Sequence, residues 1–245
     1  MSNTEDSTPL PAEAWERAPA LLAVAGPEEP ELISDGGGLP FAPARLREAF
    51  AALDPEDGAV AALLEQIDQG RRQAQPARLF RPKAKPAPMS VADKLAGWRE
   101  LARDHDQALF GRGQPPQLLT VAVRRGRGDR WSPLGASNSR PLRAVRDGVR
   151  ASSWRLAPNF AAAPELRELL ILVTEVTMAT GTPIAERLLE PELFIDDERM
   201  LLRVFVRPLE GYVGRTARRE APVVVRLPEP VGARQLVDGA VYAGR

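Results

Sequence analysis

The distribution of proline constrains this chain more than any other feature of its sequence. The chain has 24 prolines among 245 residues, and they are densest before residue 90. Proline fixes φ and lacks an amide hydrogen, so it interrupts helices and strands. Residues 1–40 also contain many acidic residues and the run Gly36-Gly37-Gly38. Their apolar content is too low to offset the entropy of ordering. We therefore expect residues 1–40 to form a disordered acidic arm that is dispensable for folding.

Regular apolar spacing begins after this arm. The pattern predicts a short helical hairpin over residues 41–70, with Asp54-Pro55 opening its second helix. A basic, proline-rich linker is expected over residues 71–88, and it should be extended. The apolar positions of the two helices are Leu46, Phe50 and Leu53, followed by Val60, Leu63, Leu64 and Ile67.

Helical and strand-like patterns are mixed in residues 89–245. Ser90-Val91-Ala92-Asp93 resembles a capping box, and we expect the helix that it opens to continue to Gly111. A second helix is predicted over Pro164–Thr180, because its leucines and valines follow helical spacing. Strands are predicted at 118–123, 149–156, 192–195, 200–207, 223–227 and 235–241, with a hairpin turn at 196–199. The predicted fold class is α+β: a mixed, largely antiparallel sheet with packed helices, preceded by a disordered acidic N-terminal arm.

The net charge of zero conceals a strong polarity along the chain. Residues 1–70 contain 14 acidic and 3 basic side chains, whereas residues 71–155 contain 19 basic and 6 acidic ones. The remaining residues are close to neutral. Such a distribution indicates a basic surface and an acidic segment that interact with partners or with each other.

Composition also limits the cellular setting. The chain has no cysteine, which excludes disulfides and thiolate metal sites and is typical of a reducing compartment. No apolar run approaches the roughly 18 residues of a membrane-spanning helix. The first residues are acidic, unlike those of a secretory signal. We therefore expect a cytoplasmic protein that does not contact membranes.

No catalytic or metal-binding pattern stands out. His105 is the single histidine, and its neighbours in sequence do not form a ready dyad with it. The acidic triplet Asp196-Asp197-Glu198 is better explained as a solvated turn than as a cation site. The sequence contains neither a serine nucleophile elbow nor a phosphate-binding glycine loop. We expect no catalytic residue, no metal and no cofactor.

The arginine-rich stretch that follows the strand at 118–123 is the most suggestive segment. Arginine binds phosphates and carboxylates bidentately, and tryptophan stacks on nucleobases. The same residues would also be consistent with a mobile basic loop. The candidate polyanion-contact residues are Arg124, Arg125, Arg127, Arg130, Trp131, Arg143 and Arg146.

Two functions follow from these patterns. The favoured hypothesis is a non-catalytic interaction or assembly protein, an adaptor that acts through protein partners. The alternative is a nucleic-acid-binding accessory protein that uses residues 71–86 and 124–155.

Overall fold

The chain divides into two compact units. The computed structural model describes residues 12–49, 51–73, 89–138, 140–158, 160, 163–178, 182–209 and 216–244. One unit, here called the barrel unit, consists of Met1–Glu31 and Arg143–Val241. The other, here called the meander unit, consists of Leu32–Leu142 and Tyr242–Arg245. The meander unit is therefore inserted in the sequence between two segments of the barrel unit.

The described residues are mostly β-strand. They contain three α-helices: α1 (Ala12–Glu16), α2 (Gly58–Gln73) and α3 (Val91–Leu95). Short 3₁₀ turns lie at Pro43–Leu46, Arg127–Asp129 and Ile184–Glu186. The strands are β1 (Ala20–Leu22), β2 (Val24–Ala25), β3 (Leu32–Ser34), β4 (Trp98–Arg103), β5 (Gln107–Arg112), β6 (Leu119–Arg125), β7 (Trp131–Asn138), β8 (Leu142–Arg146), β9 (Val149–Leu156), β10 (Glu168–Met178), β11 (Glu192–Ile195), β12 (Arg199–Phe205), β13 (Thr216–Arg226), β14 (Gln235–Asp238) and β15 (Val241–Tyr242).

The predicted α+β fold class is wrong, because two predicted helices are largely strand. The segment predicted as the helix Pro164–Thr180 contains β10, which pairs with β13 along its whole length. Leu169, Ile171 and Val173 alternate along the strand and are fully buried in one apolar cluster, and Leu172 is also buried. These positions also fit helical spacing in part. The deciding signal is the density of β-branched residues between 171 and 177, which favours a strand.

The helix that begins at Ser90 is much shorter than predicted. Its capping box is confirmed, because the Ser90 hydroxyl accepts a hydrogen bond from the Asp93 amide at 3.1 Å. The helix ends at Leu95, and Gly97 follows with a φ of 77°, a backbone conformation that interrupts a helix. The apolar residues beyond Gly97 belong to β4 and β5.

The barrel unit is a nearly closed, barrel-like sheet with the strand order β1-β13-β10-β9-β12-β11-β2. β1 runs parallel to β13, and β2 runs parallel to β11. Because β1 and β2 are consecutive in the chain, residues 19–28 join the two ends of the sheet; we call them the closing segment. The Ala23 amide bonds to the Arg226 carbonyl at 2.9 Å, and the Gly26 amide bonds to the Leu193 carbonyl at 3.0 Å. The expected disordered arm is therefore wrong over this segment, and residues 1–11 lie outside the described residues.

A buried arginine holds the end of the closing segment. Arg203 on β12 is 1% exposed and donates to the carbonyls of Pro27 (2.6 Å) and Glu28 (2.5 Å). Its Nε atom donates to the Gly239 carbonyl at 2.9 Å. Burial lowers the pKa of the Arg203 guanidinium, whereas the Glu192 carboxylate, 3.7 Å away, opposes that change. One side chain thus binds three carbonyl groups from two segments that lie far apart in the sequence.

The meander unit is a four-stranded antiparallel sheet in the order β4-β5-β6-β7, covered on both faces. Val60 and Leu63 of α2 lie in one apolar cluster with Val121. Ile33 and Phe41 lie in another cluster with Ala122. Since successive side chains of a strand point to opposite faces, Val121 and Ala122 lie on opposite faces of the sheet.

The hairpin predicted for residues 41–70 is half confirmed. Its second helix is α2, but this helix begins at Gly58 after Asp57 and not at Asp54-Pro55 as predicted. Val60 and Leu63 are buried, and Ile67 packs at the edge of the same cluster. Its first helix is replaced by the 3₁₀ turn at Pro43–Leu46. Phe50 and residues 74–88 of the predicted linker lie outside the described residues. The predicted strands at 149–156 and 192–195 are confirmed as β9 and β11.

The close approach of the closing segment to β11 yields a stability prediction. A Cβ atom at Gly26 would lie 2.8 Å from Cβ of Glu192, whereas a Cβ atom at Gly70 of α2 would meet nothing within 4 Å. We expect Gly26→Ala to lower the free energy of unfolding by about 1–3 kcal/mol through overpacking. The control Gly70→Ala should raise it by up to about 1 kcal/mol, because alanine favours the helix. Urea denaturation of both variants measures this. An unchanged free energy of unfolding in Gly26→Ala would contradict the tight closure of the sheet.

Candidate functional site

The structure places four of the candidate arginines at the end of β6 and on the turn that follows it; we call residues 124–130 the arginine turn. The side chains of Arg124, Arg127 and Arg130 are exposed, and none of these side chains forms a hydrogen bond or ion pair with another described residue. Arg125 differs, because its guanidinium pairs with Asp129 at 3.1 Å. The turn therefore presents three unpaired cations to solvent.

Trp131 is held within the meander unit. A Cβ atom at Gly58, the first residue of α2, would lie 2.7 Å from Cδ1 of the Trp131 ring. The guanidinium of Arg103 lies 5.7 Å from the centroid of the same ring. Trp131 also packs against the apolar cluster beneath α2. These contacts occupy the ring surface that base stacking would need.

Arg143 and Arg146 belong to the barrel unit, where both make structural contacts. Arg143 donates to the Ser153 hydroxyl. Arg146 donates to the Glu190 carbonyl at 2.8 Å and pairs with Glu192 at 3.2 Å. Its guanidinium lies 4.5 Å from the centroid of the buried Phe205 ring. The seven candidate residues are therefore divided between the two units, and the ones in the barrel unit contribute to its stability.

The other titratable groups considered in the sequence occupy turns. His105 and Asp106 are exposed in the turn between β4 and β5, where Nδ1 of His105 lies 2.7 Å from Oδ1 of Asp106. Asp196 accepts hydrogen bonds from the amides of Glu198 and Arg199, as expected for the predicted hairpin turn. Its pKa is lowered, chiefly by the hydrogen bond from the Arg199 side chain. Within the described ranges, no group of three or more histidines and carboxylates is arranged to hold a metal ion.

The free edge of β7 is a feature that sequence reasoning missed. β7 pairs with β6 on one side, and no strand among the described residues pairs with its other side. Ser132, Leu134, Gly135 and Ala136 are exposed. Leu134 is the extra residue of a β-bulge, because Pro133 pairs with Val123 and Gly135 pairs with Ala122. The alternation of apolar and polar residues in β7 is short and is interrupted by Pro133 and Gly135, so the sequence gives little indication of a strand there.

A small cavity adjoins this edge on the sheet face opposite α2. Its volume is about 160 Å³, and it is lined by Asp35, Gly37, Thr120, Leu134, Ser137 and Arg140 among others. Asp35 is only 3% exposed, and its carboxylate accepts hydrogen bonds from the Gly37 amide at 2.8 Å and from the Thr120 hydroxyl. The sequence marks Asp35 only as one acidic residue of the arm. Its hydrogen-bond partner Thr120 is far away in the chain.

Comparison with known proteins identifies no relative. No protein-family model matches the chain, and no curated protein or solved structure shows a significant match to it. In the part of the chain that the structure describes, no helix combines the length and apolar character needed to cross a membrane.

The start of α2 gives a pH-dependent prediction. Asp57 accepts hydrogen bonds from the amides of Ala59 and Val60 and pairs with Arg103 at 3.0 Å. Burial by itself would raise the pKa of Asp57. The hydrogen bonds from Arg103 and from the two amides outweigh it, so that the pKa is lowered.

We expect Asp57→Ala to lower the free energy of unfolding at pH 7 by about 1 kcal/mol, the usual contribution of a helix N-cap. Because the folded-state pKa is lowered, this contribution is complete above the unfolded-state pKa of about 3.9 and is lost as the pH falls through the folded-state value. Urea denaturation at pH 7 and at pH 3 should show the difference between wild type and variant narrowing at pH 3. An equal difference at both pH values would show that the charge of Asp57 is irrelevant.

Proposed function

We propose that this chain is a non-catalytic interaction protein that binds an extended segment of a partner protein along the free edge of β7. The observation that carries the proposal is the chemistry of that edge. β7 contains no charged residue between Trp131 and Asn138, and its middle residues are exposed. An uncharged, exposed strand edge is a template for the addition of another strand.

The opposite edge of the same sheet provides an internal contrast. β4 contains Arg99, Glu100 and Arg103 within six residues. Charged side chains at an edge are a common means of preventing strand addition. The charged β4 and uncharged β7 support binding at one edge of the sheet. In β7 itself, Pro133 and the bulge at Leu134 limit the usable edge to Leu134–Asn138.

The arginine turn lies immediately before this edge and favours a particular partner. Arg127 and Arg130 are exposed and unpaired among the described residues. They would attract a segment that is acidic at the end nearest the turn, and such attraction mainly raises the association rate. The absence of cysteine from the sequence supports a cytoplasmic setting, which we include in the proposal.

Strand addition can be tested with short peptides. The probe is a fluorescein-labelled pool of hexapeptides, blocked at both ends, with threonine at every second position and varied residues elsewhere. We expect the full-length protein to bind this pool, as measured by fluorescence anisotropy. The double variant Leu134→Lys/Ala136→Lys should bind about tenfold more weakly, because it places charges on the edge.

Two controls decide whether the edge is responsible. Met89→Lys/Val91→Lys places the same two charges at exposed apolar residues elsewhere in the meander unit and should bind as the wild type does. The same pool with N-methylated backbones should not bind, since it lacks the amide hydrogens that form a ladder. Equal binding of the N-methylated pool, or by the double variant, would overturn the proposal.

The nucleic-acid alternative has one observation in its favour, namely the three unpaired arginines Arg124, Arg127 and Arg130. If each contacts a phosphate, the logarithm of the affinity for mixed-sequence DNA should fall with the logarithm of salt concentration with a slope of about −2 to −3. Replacing all three by glutamate should abolish that binding. The protein-partner proposal predicts no salt-dependent DNA binding by the wild type, so a titration from low to moderate salt separates the two functions.

A further inference from the structure

The cavity beside β7 contains a buried carboxylate that lacks a cationic partner. Asp35 receives hydrogen bonds from a hydroxyl and an amide, both of which are neutral donors. Among the described residues, no arginine, lysine or histidine nitrogen lies within 4.0 Å of its carboxylate. A carboxylate removed from water in this way is stabilised strongly by a bound cation.

A guanidinium lies on the other side of the same cavity. A Cβ atom at Gly37 would lie 3.5 Å from Oδ1 of Asp35 and 3.7 Å from Nη1 of Arg140. The two opposite charges therefore flank the space that a side chain at residue 37 would occupy, but they form no ion pair. Arg140 itself is exposed, so a ligand can reach its guanidinium from solvent.

We infer that this cavity binds a free α-amino acid with a short apolar side chain. Its ammonium group binds Asp35, and its carboxylate binds Arg140, since guanidinium groups recognise carboxylates bidentately. The ammonium and carboxylate groups of an α-amino acid are attached to the same carbon atom. That carbon atom can lie in the space next to Gly37, with Asp35 on one side and Arg140 on the other. Ala122 and Leu134 supply the apolar wall, and the volume of about 160 Å³ limits the size of the side chain.

Gly37 provides a variant that blocks the site with little effect on the fold. The atoms nearest to a Cβ atom at this position lie at ordinary van der Waals distances. Alanine therefore fits the backbone, but its methyl group occupies the space between Asp35 and Arg140. Gly70→Ala adds a methyl group to the same unit at a position with open space around it.

The test uses the full-length, ¹⁵N-labelled protein and three small probes of similar shape. L-alanine has both charges, isopropylamine retains only the ammonium group, and isobutyrate retains only the carboxylate. We expect saturable shifts of the Gly37 amide resonance with L-alanine, and affinities lower by about tenfold for each singly charged probe. Gly37→Ala and Asp35→Asn should lose L-alanine binding, and Gly70→Ala should retain it. Arg140→Gln should weaken the binding of L-alanine but leave that of isopropylamine unchanged.

Several results would overturn the inference. These are the absence of saturable shifts with L-alanine, equal affinity for L-alanine and isopropylamine, or full L-alanine binding by Gly37→Ala. The last variant keeps the test decisive even if Asp35→Asn fails to fold. The cavity shares Leu134 with the edge of β7. The two tests remain distinguishable, because the blocked hexapeptides carry neither a free ammonium nor a free carboxylate and L-alanine has no backbone ladder to offer.

Discussion

The barrel unit depends on one segment that completes its sheet from both sides. Without residues 19–28, β13 and β11 would each present an open row of amides and carbonyls, the condition that promotes pairing with other chains. Arg203 makes this closure specific, since it is buried beneath the segment and binds the Pro27 and Glu28 carbonyls. Gly26 lacks a side chain, and this allows the closing segment to approach Glu192 closely. Close packing at Gly26 and the hydrogen bonds from Arg203 therefore hold the same segment.

Several arginines of this chain make contacts within their own unit. Arg125, Arg143 and Arg146 each bind a partner within their own unit, and Arg103 links Asp57 and Glu100 while lying over Trp131. The unpaired cations of the arginine turn are reduced to Arg124, Arg127 and Arg130. Two other features are therefore the better functional candidates. The edge of β7 has no charged residue, and the cavity at Asp35 contains a carboxylate without a cationic partner among the described residues.

The sequence predicts those elements whose pattern is decided locally. β9 and β11 have the expected bounds, and Val60 and Leu63 of α2 are buried as predicted. The segment around β10 was mispredicted because Leu169 and Val173 satisfy helical and strand spacing alike. The β-branched residues between 171 and 177 favour the strand, and β10 pairs with β13 along its whole length. The closing segment and Asp35 gain their roles from residues far away in the chain, such as Arg226 and Thr120. No local pattern encodes such non-local contacts.

The order of segments along the chain has a consequence for synthesis on the ribosome. The closing segment emerges before the meander unit, whereas the strands that it joins emerge after it. The meander unit can complete its sheet while the barrel unit still lacks β9–β13. During that interval the closing segment has no native partner, and the barrel-like sheet can assemble only after β13 has left the exit tunnel. Translation thus delays the folding of the barrel unit but not that of the meander unit. The delay arises because more than one hundred residues lie between the two segments of the barrel unit.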